Sequence, residues 1–260
     1  MIVSIAAQKG GVGKTSLTVH LSGVFAENGG RVLLCDVDPQ HSLSNTFIQD
    51  VYSLDKTLKD LLLDPDLLPS KVLCSTKFEN IDIIPTNLGL GLIEYELLSD
   101  PDSQYLLADK LDEVKNDYGL VLIDCPPSLG IFTRLALTAS DSVLIPLECS
   151  SYAVKSTGFL LELVNKVKKR VNPQLKILGF VINKFDARRR VEQDFRDMIR
   201  QNFGDKVFKT ELKDSAKYAE AVTLKIPISF YQPKSEQAEA YRSLLKEVCD
   251  GQRINDHKYT

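Results

Sequence analysis

The chain has 260 residues, 43% of them apolar, with 14 glycines, 11 prolines and a formal net charge of −3. That composition excludes a disordered or fibrous chain, and the overall charge gives no global drive toward nucleic acid or membrane. Five widely spaced cysteines, odd in number and without a CxxC pair, exclude a disulfide framework or zinc cage and read as free thiols in a reducing compartment.

Short apolar runs alternate with longer helical patterns. Ile2–Ala7 reads as a strand, and Lys14–Glu27 as a helix whose Leu17, Leu21, Val24 and Phe25 form one stripe. Gly29-Gly30 ends that helix and Arg31–Cys35 is the next strand. Further strands are expected at Ile81–Pro85, Leu120–Asp124, Ser142–Pro146, Lys176–Asn183 and Ile226–Ser229. Helices are expected at Thr57–Leu63, Gln104–Asn116, Ile131–Ala139, Ala153–Arg170, Arg190–Gln201 and Glu236–Val248. Continuous apolar strands such as Leu120-Val121-Leu122-Ile123 are the mark of a sheet covered on both faces. The expectation is an α/β fold over residues 1–250: one doubly wound, mostly parallel sheet with helices on both faces. A polar, frayed tail over Gly251–Thr260 completes it. The apolar start Met1–Ala7 lacks the basic residues and length of a signal peptide, and no run approaches the ~18 apolar residues of a membrane span. A cytoplasmic protein is expected.

Between the first strand and first helix lies Lys9-Gly10-Gly11-Val12-Gly13-Lys14-Thr15-Ser16. Glycines let successive backbone N–H groups turn inward onto phosphate oxygens, and the helix adds its positive end to the same anion. Lys14 is spaced to reach the β- and γ-phosphates, and the Thr15 hydroxyl to ligate Mg²⁺. Asp124 ends an otherwise apolar strand, where an open α/β sheet places ligand groups; it would hold magnesium through water, or else cap the next turn. Asp36 and Asp38 lie at and just past another strand end, and both also suit a turn before Pro39.

The loop departs from the general pattern by carrying Gln8 where a glycine is usual and opening on a second lysine, Lys9. It resembles the deviant Walker A box of the ParA/MinD family of ATPases, Gln8 being more like the ParA/Soj branch. Arg31–Gln40, ending Asp-Val-Asp-Pro-Gln, is similar to the family's second motif. Leu122–Gly130 looks like its Walker B and switch II, and Lys234–Tyr241 resembles its closing helix. Ser16, usually threonine, and Lys155 depart from the common pattern.

The resemblance implies an ATP/ADP and Mg²⁺ site in which Asp38 orients the attacking water and Asp36 supports the metal. It implies that Lys9 crosses to the partner's nucleotide in an ATP-bound homodimer, and that Asn183 touches the base. It further implies non-specific DNA binding on the nucleoid and a ParB-like or adaptor protein that stimulates hydrolysis, with a plasmid, chromosome region or protein cargo being positioned. Independently, Val164–Lys225 carries 16 Lys/Arg against 8 Asp/Glu, which points to a polyanion-facing surface. On its helix the apolar Val191, Phe195, Met198 and Ile199 stand opposite Arg189, Arg196 and Arg200, and Lys217 follows. These four cations are the expected DNA contacts, against the plain alternative of a solvated face. A MinD-like membrane-cycling relative would end in an amphipathic helix, and Gln252–Thr260 is too polar for one; no membrane partner is expected. An iron-protein-like reductase needs a cluster-ligating cysteine pair, which Cys125 and Cys149 do not offer.

Overall fold

The computed structural model describes residues 1–252. Eight strands form one sheet: β1 (Ile2–Ile5), β2 (Val32–Asp36), β3 (Cys74–Ser75), β4 (Ile81–Ile84), β5 (Leu120–Asp124), β6 (Ser142–Glu148), β7 (Lys176–Phe185) and β8 (Val207–Lys213). The helices are α1 (Lys14–Glu27), α2 (Ser42–Phe47), α3 (Leu58–Leu63), α4 (Gly89–Leu92), α5 (Glu94–Ser99), α6 (Leu106–Asp112), α7 (Ile131–Ala139), α8 (Ala153–Arg170), α9 (Arg190–Phe203), α10 (Ala216–Thr223), α11 (Ile228–Tyr231) and α12 (Glu236–Gln252).

Strand order is β3-β4-β2-β5-β1-β6-β7-β8, parallel throughout except for the antiparallel β3. Successive side chains of a strand point to opposite faces, so each buried strand feeds two cores. Leu33, Cys35, Val121 and Ile123 pack under α3–α9. Leu34, Val32, Leu120 and Leu122 pack against α1, α2 and α10–α12. The doubly wound, mostly parallel sheet anticipated above is what forms.

Three local expectations are corrected. Ile226–Ser229 is not a strand: Pro227 sits before the short helix α11, supplying a fixed φ where a helix start needs no N–H. The sheet instead takes β8 as its edge strand, with Val207 buried on one face and Leu212 on the other and Lys209 and Lys213 exposed. The helix expected over Gln104–Asn116 is α6 with a 3-10 turn at either end. At the C-terminus α12 includes Gly251 and Gln252, and the rest of the expected tail lies outside the described residues.

In this topology β1 is flanked by β5 and β6, and the chain leaves β1 toward one edge and β5 toward the other. The C-terminal ends of β1, β5 and β2 therefore converge where the winding reverses, the place where open α/β sheets collect ligands.

Candidate active site

The loop after β1 runs directly into α1. Gly11 and Gly13 have φ of +78° and +88°, the left-handed region that L side chains avoid. A Cβ at Gly13 would overlap the Asn183 amide, whereas Gly10 and Gly11 have no heavy atom within 4 Å of an added Cβ. One side of the loop is thus pressed against the protein and the other is open.

Lys14, the first residue of α1, is 7% exposed, yet its ammonium makes a single long hydrogen bond, 3.4 Å to Lys9 O. Burial lowers its pKa, opposed first by Asp124 and, more weakly, by Asp38. Thr15 Oγ1 donates to Asp124 Oδ2 at 2.6 Å, and Thr18 Oγ1 lies 3.5 Å from Asp124 Oδ1. Asp36 and Asp124 are register partners at the ends of β2 and β5, both fully buried. Burial pushes both carboxyls above the ordinary range, and the neighbouring Asp36 raises Asp124 further.

The two carboxylates have different local duties. Asp36 Oδ2 accepts from Ser44 N–H at 2.8 Å and from Ser44 Oγ at 2.7 Å, and Oδ1 accepts from Asp38 N–H. Asp36 therefore anchors the loop from Asp38 to α2, while Asp124 serves the Thr15 side. Asp38 is half-buried and its Oδ1 accepts from Gln40 N–H at 2.9 Å, a turn that keeps its second oxygen free of described partners.

Lys9 Nζ donates to Glu148 Oε2 at the rim of the loop. Glu148, at the end of β6, also faces Lys184 at 3.7 Å, and Lys184 Nζ donates to Gly11 O at 2.6 Å. Asn183 Nδ2 donates to Val12 O at 2.8 Å, and its Oδ1 accepts from Lys184 N–H. In this structure the Asn183 amide braces the glycine loop from beneath. Glu148 and Lys184 were missed from sequence, although Glu148 carries the same signal as Asp124, a lone carboxylate closing an apolar strand.

The residues fit a nucleoside triphosphate with a divalent cation. A desolvated ammonium with one weak hydrogen bond, a row of glycines open on one side and a helix N-terminus suit a polyphosphate. Among the described residues no group of three or more His, Cys, Asp or Glu side chains gathers as a metal cage. Magnesium needs none, since it keeps waters and shares substrate phosphates.

Residues 1–177 match the family described as an AAA domain. The chain is 38% identical over 248 residues to the sporulation initiation inhibitor protein Soj of Bacillus subtilis, covering 95% of this chain and 98% of that one. It belongs to the ParA/MinD family of P-loop ATPases. The chromosome partitioning protein ParA of Caulobacter vibrioides, another relative, is 34% identical over 260 residues, covering 99% of this chain and 97% of its own. Among solved structures, a cobyrinic acid a,c-diamide synthase from Mycobacterium smegmatis with bound ADP and magnesium superposes with a TM-score of 0.82 at 31% identity. That match covers 94% of this chain and 92% of the other.

The expected DNA row of this ParA/MinD-family chain is only partly a free surface. Arg189 is exposed but pairs with Asp186 and Glu192. Arg196 lies over the Phe185 ring and pairs with Asp197, and Arg200 donates to Glu211 at 2.8 Å and to Phe208 O. Of the expected apolar stripe Ile199 is buried and Phe195 and Met198 are partly so, but Val191 is 57% exposed, while Arg196 lies over Phe185 of β7 and Arg200 bonds to β8. Long cationic side chains bury their methylenes and deliver the charge to a neighbour, which a helical wheel does not reveal. Lys217 is half-buried and belongs to a different helix, α10.

Proposed function

We propose that this chain is a ParA-like ATPase that dimerises on Mg·ATP, binds DNA non-specifically, and positions a plasmid, chromosome region or protein cargo. A ParB-like or adaptor partner would stimulate hydrolysis and end each cycle. The observation that carries the reading is the glycine loop with the buried Lys14 and the Thr15–Asp124 hydrogen bond at its edge.

Phosphoryl transfer asks a protein for charge neutralisation and an aligned nucleophile rather than covalent chemistry. The N–H groups of Gly10 to Ser16 and the Lys14 ammonium would take the phosphate oxygens. Thr15 Oγ1 and the Asp124 carboxylate would hold magnesium, which neutralises phosphate charge when bound, with Asp36 steadying the loop beside it. Asp38, with one carboxylate oxygen engaged in its own turn, has the other available to orient a water. Asn183 supports the loop from below, and the family resemblance would have it touch the base as well. Lys9 is tethered to Glu148 at the rim and is half-exposed, so reaching a second subunit's phosphates requires exchanging that ion pair for them.

Self-association has its own support. Leu92 and Tyr95 are 84% and 82% exposed on α4 and α5. These helices pack on Pro39, beside Asp38, and against Gly130, past Asp124: an added Cβ at Gly91 would meet Pro39, and one at Gly130 would meet Glu94. Exposed apolar groups so close to both carboxylate loops suit a surface that a second copy covers.

The test is ATP turnover and mass in solution with and without DNA. Wild type is expected to be dimeric with ATP, and Lys9→Ala to bind nucleotide yet stay monomeric and inactive. Dimers of normal activity from that variant would remove the trans role; failure of wild type to bind Mg·ATP would sink the whole reading.

A further inference from the structure

Arg189, Arg196 and Arg200 pair with acids, whereas a second, denser group of cations has no ion-pair partner among the described residues. Lys166, Lys168, Lys169 and Arg170 occupy the last turns of α8, and Lys176 opens β7. All five are exposed, and residues 166–176 contain no Asp or Glu. None of the five side chains makes an ion pair or hydrogen bond among the described residues, in contrast to Arg189, Arg196 and Arg200. Nearby carboxylates do not neutralise them: Asp141 Oδ2 accepts from Ile2 N–H, and Glu162, one turn back, forms no described ion pair.

Cations in the last helical turn complement the carbonyl end of a helix, which accounts for placing Lys168, Lys169 and Arg170 there. It does not account for Lys166, a turn earlier, or for Lys176, in a strand. The turn that joins them is held firmly. Asn172 Nδ2 lies 3.2, 3.0 and 2.7 Å from the carbonyl oxygens of Leu137, Thr138 and Ser140, tying residues 171–175 to the end of α7. Five like charges are thus carried on a fixed scaffold, where they repel by only about 0.2–0.5 kcal/mol per neighbouring pair but concentrate a positive field that an anion can meet.

We propose that this ridge, Lys166 to Lys176, is the principal duplex-DNA contact of the chain, gripping backbone phosphates at the end of the sheet opposite the nucleotide. The inference rests on the DNA-binding part of the proposed function and names its surface. Four of the five cations are lysines, point charges without the planar fork that reads guanine, so the contact is sequence-blind. Duplex DNA is favoured over a lipid bilayer because no large apolar side chain is exposed within the ridge to insert between lipids. The ten residues of β7 span about 30 Å from Lys176 to Phe185, so DNA and nucleotide would be held together without competing for one site.

The experiment is fluorescence anisotropy on a short duplex across a salt series, with ATP present. One protein carries Lys166→Gln, Lys169→Gln and Arg170→Gln together, and another carries Arg189→Gln. Each neutralised phosphate contact contributes about 0.9 to the slope of log affinity against log salt. The triple variant is expected to lower the slope by about 2–3 and to weaken binding roughly 10–100-fold near about 50 mM salt, with unchanged basal ATPase and melting temperature. Arg189→Gln is expected to change the slope by less than about 1. Should wild type bind DNA and the triple variant keep its slope, or lose binding only to vesicles of anionic lipid, the ridge is not the DNA surface. Should wild type bind no DNA at all, the DNA part of the proposed function fails and the ridge assignment with it.

Discussion

Asp124→Asn separates the site's chemistry from its cost to the fold. Asp36 and Asp124 are register partners on adjacent parallel strands, which lie about 4.8 Å apart. With carboxylates about 5 Å apart and an effective dielectric near 20, two full charges repel by about 3 kcal/mol. Lys14 offsets part of this. Asparagine is nearly isosteric: its oxygen still accepts from Thr15, and its amide faces the Thr18 hydroxyl. The sign follows from burial, which raises both carboxyl pKa values in the folded state. Between the unfolded value near 4 and the raised folded values, the folded chain keeps protons that the unfolded chain has lost, so the pair's contribution falls as pH rises. Below that window both forms of Asp124 are neutral and the variant gains little. Above it, Asp124→Asn is expected to stabilise the ligand-free protein by about 1–2 kcal/mol, or about 2–8 °C in melting temperature. Wild type should gain about 2–3 kcal/mol from Mg·ADP at a hundredfold excess over its Kd, and the variant much less. Calorimetric melting from about pH 5 to 8, with and without Mg·ADP, reads both. A variant that melts lower than wild type at alkaline pH, or by a margin that ignores pH, would refute the repulsion argument.

Gly13→Ala should lose nucleotide binding and cost about 1–3 kcal/mol, since alanine at φ +88° is strained and its methyl meets Asn183; isothermal calorimetry and urea melts check this. Leu92→Asp should leave ATP affinity unchanged while abolishing ATP-dependent dimers in light scattering, because the side chain is 84% exposed. Arg200→Ala should lower stability by about 0.5–1 kcal/mol through loss of the Glu211 pair and the covered apolar surface, with little change in DNA affinity.

Much of the site was legible because its demands are local. A glycine loop between an apolar strand and a helix encodes its positive φ angles and its lysine within eight consecutive residues. Asp124 announced itself as a charge closing an apolar run. Asp36 was legible as a strand-end carboxylate but not as the anchor of Ser44, eight residues on, since that depends on how α2 folds back.

What the chain encodes locally is therefore the strands buried on both faces, the long helices and the phosphate loop, where backbone needs and apolar periodicity lie within one short window. Tertiary packing decided the rest. β8 is a strand because β7 offers it an edge, and α11 is helical because Pro227 turns the chain against α1. Glu148 meets Lys9 across 139 residues, and Asn183 meets Val12 across 171. Which cations are spent and which stay free depends on acids brought alongside by the fold. Charge pairing is a property of through-space neighbours, and only the folded chain determines who those neighbours are.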